Sequence, residues 1–381
     1  MRALGVILAG GNSHRLGGLT LASGRSIASM PIGGGYRTID FPLSSMTNSG
    51  IQKVAVLIQF GGSSLNDHLT SGKWWDLGRK KGGLFMYSPY NSPGGFSHDT
   101  PTFRGTAHAM YRNLKFFKRS NQEYVVITSG DAVYKMDFNQ VIDHHKESGN
   151  DITVVYKNNH DKDPHRFGVL ELDENERVLN LEEKPIEASS TNISLGIYVI
   201  GREQLIELLE KANEEGRHDF VADILIRHRK VLKVGGYHFE GYWETLNCLE
   251  SYFKANMDFL QKDVRNFFTK TYPYISTKPG DEPPVKYNSR AQVRGALVSG
   301  GSIINGRIEN SVLFSNVFVG DNAIIKNSVI MSGAHIGDNC IIENAIIDKY
   351  TMCSTGTVFR GEILPNGEMG RPAVLEKYNR I

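Results

Sequence analysis

Three short stretches hold the residue types of phosphate chemistry. "LAGGNSHRL" (8–16) ends an apolar run on Gly10 and Gly11 and places Arg15 just beyond them. Glycines without Cβ let a backbone approach a phosphate or a sugar closely, and a guanidinium pairs with phosphate oxygens. The spacing matches neither G-x-G-x-x-G nor the Walker loop, so neither a dinucleotide nor a P-loop reading fits. "SGDAVYKMD" (129–137) sets Asp131 after another apolar run, where a carboxylate can hold a divalent cation against phosphates or cap the next turn. Asp137 reads as a cap for a helix beginning near Phe138. "LNLEEKP" (179–185) puts Glu183 and Lys184 at the end of a strand-like run. A carboxylate there can accept sugar hydroxyls and a lysine can neutralise a sugar phosphate. The same run also reads as an ordinary solvated surface.

The elements that must position these residues change character along the chain. Up to about residue 260, nearly continuous β-branched runs, "LGVILAG" (4–10), "KVAVLIQ" (53–59) and "EYVVITSGD" (123–131), alternate with helix-like segments such as 106–117 and 138–149. Continuous apolar strands are buried on both faces of a parallel sheet, so the pattern predicts a doubly wound α/β domain. Ligands of such sheets sit at the strands' carboxyl ends, where Gly10, Gln59 and Asp131 fall. Residues 261–291, rich in proline and charge toward their end, read as a linker or crossing segment. From 292 to 381 a repeat takes over. "IENSVL", "IKNSVI" and "IENAII" begin at Ile308, Ile325 and Ile342, and "VGDNAI" and "IGDNCI" at Val319 and Ile336, every 17 residues. Aliphatics returning at about every sixth position predict a hexapeptide parallel β-helix of about three coils.

Composition narrows the function classes. The chain has 381 residues and a net charge of +2, which gives no bulk attraction to nucleic acid or to a membrane surface. Cys248, Cys340 and Cys353 form neither a metal spacing nor a disulfide framework, and a reducing cytoplasm is expected. No run approaches the ~20 apolar residues of a membrane span. No Ser/His/Asp constellation stands out. His144 and His145 are expected to be exposed on an amphipathic helix, and "KWWDLGR" (73–79) to pack.

The stretches "LAGG…RL", "YRTIDFPLSSMTNSGI", "GKWWDL", "FRGTAHA", "SGDAVYKMD", "FGVLELDEN", "EEKP", "SLGIYV", "GYWETL" and "SYFKANMDFL", followed by the repeat, resemble the ADP-glucose pyrophosphorylase (glucose-1-phosphate adenylyltransferase) family over nearly the whole chain. The resemblance implies a Rossmann-like nucleotidyltransferase domain followed by a left-handed parallel β-helix. It implies the reaction of ATP and glucose-1-phosphate to ADP-glucose and pyrophosphate in glycogen biosynthesis, with Mg²⁺ on the phosphates and effectors bound between the two domains. By this resemblance Gly10, Gly11 and Arg15 match the nucleotide loop, Gln59 the adenine-reading glutamine, and Asp131 a metal-binding aspartate. Glu183, Lys184 and Ser194 match the glucose-1-phosphate pocket, with Gly168 and Gly196 in its backbone.

Four stretches depart from the family pattern. Ser13-His14 replaces Gly-Thr in the loop. In "RSIAS", Ile27 and Ala28 stand at the lysine and proline positions. His108 replaces an aspartate, and Thr245 stands at the second metal-binding aspartate. An aliphatic side chain cannot stabilise charge on a leaving pyrophosphate, and a hydroxyl is a poor substitute for a carboxylate on Mg²⁺. The pattern resembles the GlgD-type regulatory subunit. It implies weak catalysis, impaired Mg²⁺ binding, and a catalytic partner subunit in a mixed tetramer. A self-sufficient adenylyltransferase is the alternative. A β-helix acyltransferase acting on a sugar nucleotide is more remote, with His335 as the histidine its coils would offer.

Overall fold

The opening apolar run forms a strand, β1 (Ala3–Leu8), with β2 (Lys53–Leu57) and β4 (Tyr124–Ser129) parallel to it on either side, and β3 (Gly83–Tyr87) parallel beyond β2. The computed structural model describes residues 2–10, 13–21, 23–78, 82–90, 102–159, 163–364 and 370–381. After β4 come β5 (Ala132–Tyr134), β6 (Ile152–Asn158), β7 (Gly168–Leu172), β8 (Val178–Glu183), β9 (Asn192–Gly201), β10 (Val234–His238) and β11 (Trp243–Thr245). The main sheet runs in the order β8-β7-β9-β4-β1-β2-β3, and β6 joins β9 to β10. It is mixed rather than all parallel, because β9 runs antiparallel to β4, β6 and β7.

Successive residues of the central strands alternate between two cores. Ala3, Ile7, Val54, Val56 and Val126 face the helices Asp40–Asn48 and Phe138–Glu147. Leu4, Val6, Ala55, Leu57 and Val125 face Thr106–Arg112 and Arg202–Glu214. Both faces are covered, which is why these strands read as continuous apolar runs.

Three local expectations change. The segment 106–117 is two helices, Thr106–Arg112 and Leu114–Lys118, because Asn113 leaves helical geometry and its side chain donates to the Ala109 carbonyl at 2.9 Å. His145 is buried, its Nδ1 2.9 Å from Thr153 Oγ1, and His144 Nε2 sits 2.9 Å from the Gly236 carbonyl, so neither is a free surface histidine. In "KWW" Trp75 is buried and Trp74 is exposed.

The segment expected to link the two parts is structured at both ends. Lys262–Thr269 is a helix, held because Phe268 stacks on Phe259 with centroids 5.3 Å apart and meets Phe41 edge-on. Lys286–Tyr287 already pairs with Ile303–Ile304 of the next coil. The coils then build three sheets of five parallel strands each, more than the three coils expected, and these sheets fit a left-handed β-helix. Ile308, Ile325, Ile342 and Phe359 are successive rungs of one sheet. The asparagine of each repeat has its own reason. Asn310, Asn327 and Asn344 turn one corner at φ +44°, +43° and +50°, a left-handed conformation asparagine tolerates, and Asn310 Nδ2 donates to Asn327 Oδ1 at 2.5 Å.

The two parts share a core of their own, in which Phe41, Phe259 and Phe268 pack with Val312, Phe314, Val329 and Ile346. At its edge Arg25, 6% exposed, pairs at 2.9 Å with the fully buried Asp348 of the β-helix. The cysteines are free thiols, and no helix among the described residues is long and apolar enough to cross a membrane.

Two predictions follow from this packing. Arg25→Met leaves Asp348 buried without its cation and should cost about 3–5 kcal/mol, read as a fall in the urea midpoint, with Asp348→Leu in the same chain restoring part of the loss. Burial pushes the His145 imidazole down to about 4. Below the ordinary value of about 6.5 the unfolded chain takes up a proton that the folded chain refuses. Stability should therefore be full above pH ~6.5 and decline as pH falls toward 4. Thermal unfolding of His145→Gln across that window should show a shallower slope than the parent.

Candidate functional site

The site begins with a register. Leu8 at the end of β1 lies opposite Leu57 of β2 and Ser129 of β4. Gly10, Gln59 and Asp131 each follow two residues later, so the three candidates leave the sheet side by side at its carboxyl edge. Two cavities open there. The first, about 610 Å³, is lined by Gly10, Arg15, Gln59, Phe103, Thr106 and Asp219 among others. The second, about 190 Å³, is lined by Gly168, Glu183, Lys184, Ser194, Gly196 and Thr245 among others. Arg15, Ser129 and Asp131 belong to both, so they form the wall where the two cavities meet. Gly11 lies outside the described residues.

At that junction the Arg15 guanidinium stands 3.3 Å from Asp131 Oδ2, and Ser129 Oγ donates to Asp131 Oδ1 at 2.5 Å. The antiparallel pairing of β11 with β5 seats Thr245 opposite Ala132, and the Thr245 hydroxyl donates to the main-chain carbonyl of Asp131 at 3.3 Å. Position 245 is thus beside Asp131, where a second carboxylate would complete a cation site. Among the described residues, Asp131 is the one carboxylate common to both cavities, and no group of three His, Cys, Asp or Glu side chains could hold a metal ion. This donor set does not make a two-carboxylate Mg²⁺ site.

The second cavity owes its shape to an irregularity in β9. The pairing of β9 with β6 slips between Ser194 and Ile197, Gly196 sits at φ +68°, and its N–H donates to Ser194 Oγ at 3.3 Å. Such a bulge re-aims a side chain out of the regular pleat, here Ser194 into the cavity. Glu183 ends β8 opposite Gly168. Lys184 turns the chain at φ +51°, unusual for a residue with a Cβ, and its Nζ lies 3.4 Å from Glu183 Oε1. A Cβ at Gly168 would stand 3.2 Å from Glu183 Oε2, so glycine there leaves room for that carboxylate.

In the first cavity the Gln59 amide is paired with one backbone unit. Its Nε2 donates to the Phe103 carbonyl at 3.1 Å and its Oε1 accepts from the Phe103 N–H at 2.9 Å. This donor-acceptor pair has the form of the contact an amide makes with the edge of adenine.

The departures fall in different places. Thr245 is in the site. Ile27 and Ala28 are buried, Ile27 at 3% exposure among Leu16, Leu19, Met30 and Phe41, and neither lines either of the two cavities. His108 also lies behind the wall. Its Nδ1 accepts from Arg104 N–H at 3.0 Å, its ring is 5.2 Å from that of His218, and burial, then His218 and Arg112, lower its pKa to about 4. It is therefore a neutral brace for the Arg104–Gly105 turn that lines the first cavity. Ser13 and His14 belong to a short helical turn, Ser13–Leu16, and His14 also lines that cavity.

Sequence reasoning missed Phe103, Arg104, Thr106, Asp219, Arg166 and Trp243, all of which line one cavity or the other. Asp219 had a local sign in an aspartate just ahead of an apolar run, since its Oδ1 accepts from the Val221 and Ala222 N–H groups. Phe103, Arg104 and Thr106 lie in "FRGTAHA" and Trp243 in "GYWETL", stretches that carried the resemblance without a role being assigned to them, and Arg166 had no local sign.

A mixed sheet with paired cavities at its carboxyl edge, joined to a parallel β-helix, defines a nucleotidyltransferase architecture. The Nucleotidyl transferase family matches residues 4–262, and a family described as GlmU-like, C-terminal hexapeptide matches residues 283–361. The chain is 38% identical over 329 residues to the glucose-1-phosphate adenylyltransferase of Halalkalibacterium halodurans, covering 84% of this chain and 83% of that one. It is 40% identical over 328 residues to the enzyme of that name from Clostridium botulinum (84% and 82% covered), and 35% identical over 330 residues to that from Geobacillus stearothermophilus (85% and 83% covered). The chain belongs to the glucose-1-phosphate adenylyltransferase family.

The clasp on Phe103 is measurable. Gln59→Ala removes two hydrogen bonds at about 1 kcal/mol each, so the Phe103 amide should exchange with solvent about ten- to thirtyfold faster by hydrogen-exchange mass spectrometry, with little change in the amides of β4.

Proposed function

We propose that this chain is a regulatory, weakly catalytic subunit of glucose-1-phosphate adenylyltransferase in glycogen biosynthesis. It would act in a mixed tetramer with a catalytic subunit. In the reaction a phosphate oxygen of glucose-1-phosphate attacks the α-phosphorus of ATP and displaces pyrophosphate, giving ADP-glucose. The cavity of Gln59 suits the nucleotide and that of Glu183 and Lys184 the sugar phosphate. Arg15 stands where the reacting phosphates would meet, to orient them and offset their charge.

The observation that carries the regulatory reading is Thr245 beside Asp131. Residues at the family's ligand-holding positions, Gln59, Glu183, Lys184 and Ser194, line the cavities, while Thr245 gives the junction no second carboxylate and Ile27 is committed to the core. Binding without efficient turnover is the natural result. Regulation has a place to enter. A cleft of about 570 Å³ between the two parts is lined by Arg37, Lys278 and Lys349 among others. Burial first, then Arg37 and Arg25, push the Lys349 ammonium down to about 8. Effectors of the family bind between the domains, and this cleft suits an anion.

The test is pyrophosphate release by the purified chain with ATP, glucose-1-phosphate and Mg²⁺, alone and mixed with a catalytic relative. Release by the chain alone should be at least about a hundredfold slower than by the relative, and the mixture should differ from the relative in rate or effector response. Rapid release by the chain alone would instead support a self-sufficient adenylyltransferase. Thr245→Asp is the substitution expected to raise activity. Ile27→Lys should destabilise the fold, since it buries an amine among Leu16, Met30 and Phe41.

A further inference from the structure

The junction between the cavities has already answered its own negative charge. Asp131 gives one carboxylate oxygen to Arg15 and the other to the Ser129 hydroxyl. The neighbouring position that could share a cation with it carries the hydroxyl of Thr245, which is turned to the main chain. A divalent ion on a phosphate chain takes hard oxygen ligands in a fixed geometry and dehydrates reluctantly. To bind one here, Asp131 would surrender an ion pair and a hydrogen bond and gain no second carboxylate. Cations stand in the walls beside their carboxylates, Asp131 and Asp219 in the first cavity and Asp131 and Glu183 in the second. Arg15 and Arg104 line the first cavity, and Arg15, Arg166 and Lys184 line the second. Arginine presents a fork of donors that matches phosphate oxygens in pairs, and it keeps its charge at any working pH.

Resting on the reading that a nucleoside triphosphate occupies the first cavity, we infer that this chain recognises the phosphate chain without a divalent ion, with Arg15 supplying the charge that a metal would otherwise bring. Asp131 then has a positioning role. It holds the guanidinium at the junction and keeps it from swinging to solvent. The substitution at 245 and the pairing at 131 become one change, since removing the second carboxylate leaves the first free to serve Arg15.

The experiment is calorimetric titration of the purified full chain with ATP, once in EDTA and once in excess Mg²⁺. The parent chain should bind with dissociation constants that differ by less than about threefold between the two conditions. Thr245→Asp should bind at least about tenfold more tightly in Mg²⁺ than in EDTA. Arg15→Gln, at a site exposed enough to fold normally, should lose at least about tenfold in affinity in EDTA. Binding by the parent chain only in Mg²⁺, or more than tenfold tighter with it, would overturn the inference and leave the nucleotide reading standing. Failure to bind ATP under either condition would overturn both.

Discussion

The alignment of Leu8 with Leu57 and Ser129 is the constraint from which the site is built. Parallel pairing fixes where each strand stops relative to its neighbours, and side chains of β1, β2 and β4 lock that register by alternating between two filled cores. A one-residue slip would turn every buried side chain to the wrong face. The chemistry at the carboxyl edge therefore inherits its precision from residues that never touch a ligand. Gly10, Gln59 and Asp131 converge because Val6, Val56 and Val126 cannot move.

The β-helix contributes differently. Each coil buries aliphatics such as Ile325, Ile330 and Ile336 against the coils above and below, worth about 1.5–3 kcal/mol apiece, and no coil could do this alone. The stack presents one sheet to the catalytic-type domain. There Val312, Val329 and Ile346 meet the Phe41, Phe259 and Phe268 cluster, and Asp348 meets Arg25. The segment around Arg25 leads directly into Ile27 and Ala28, so the same short stretch that departs from the family pattern is tied down by the partner domain. Ile27 is buried in the core the two parts share. The cleft holding Arg37 and Lys349 sits on the same border, which puts any ligand bound there in contact with both parts at once.

The charge pattern of the site is one of balance. Glu183 faces Lys184 and Asp131 faces Arg15, while Asp219 spends its carboxylate on backbone amides. A site whose groups satisfy one another is stable without ligand. Gln59 shows the same logic in neutral form, its amide already matched by the Phe103 backbone.

Much of this was written in the chain. The 17-residue recurrence of Ile308, Ile325 and Ile342 determined the β-helix, because a periodic pattern of buried aliphatics has few other ways to close. The continuous apolar runs determined a doubly covered sheet whose carboxyl edge would carry Gly10, Gln59 and Asp131, while Glu183, Lys184 and Ser194 were singled out together only through the resemblance to a family; all six line the two cavities. What the sequence left open were matters of distance between remote segments. The reversal of β9 lies in long-range pairing, as does the placing of Thr245 against Asp131 across 114 residues. Burial of His145, engagement of Gln59 by Phe103, and the commitment of Ile27 to the core were likewise settled by packing. A motif specifies which groups are available. Only the tertiary structure decides which of them face one another, because a side chain's partner is set by the register and packing of elements far away in the chain, and on that partner depends whether a carboxylate holds a cation or an arginine.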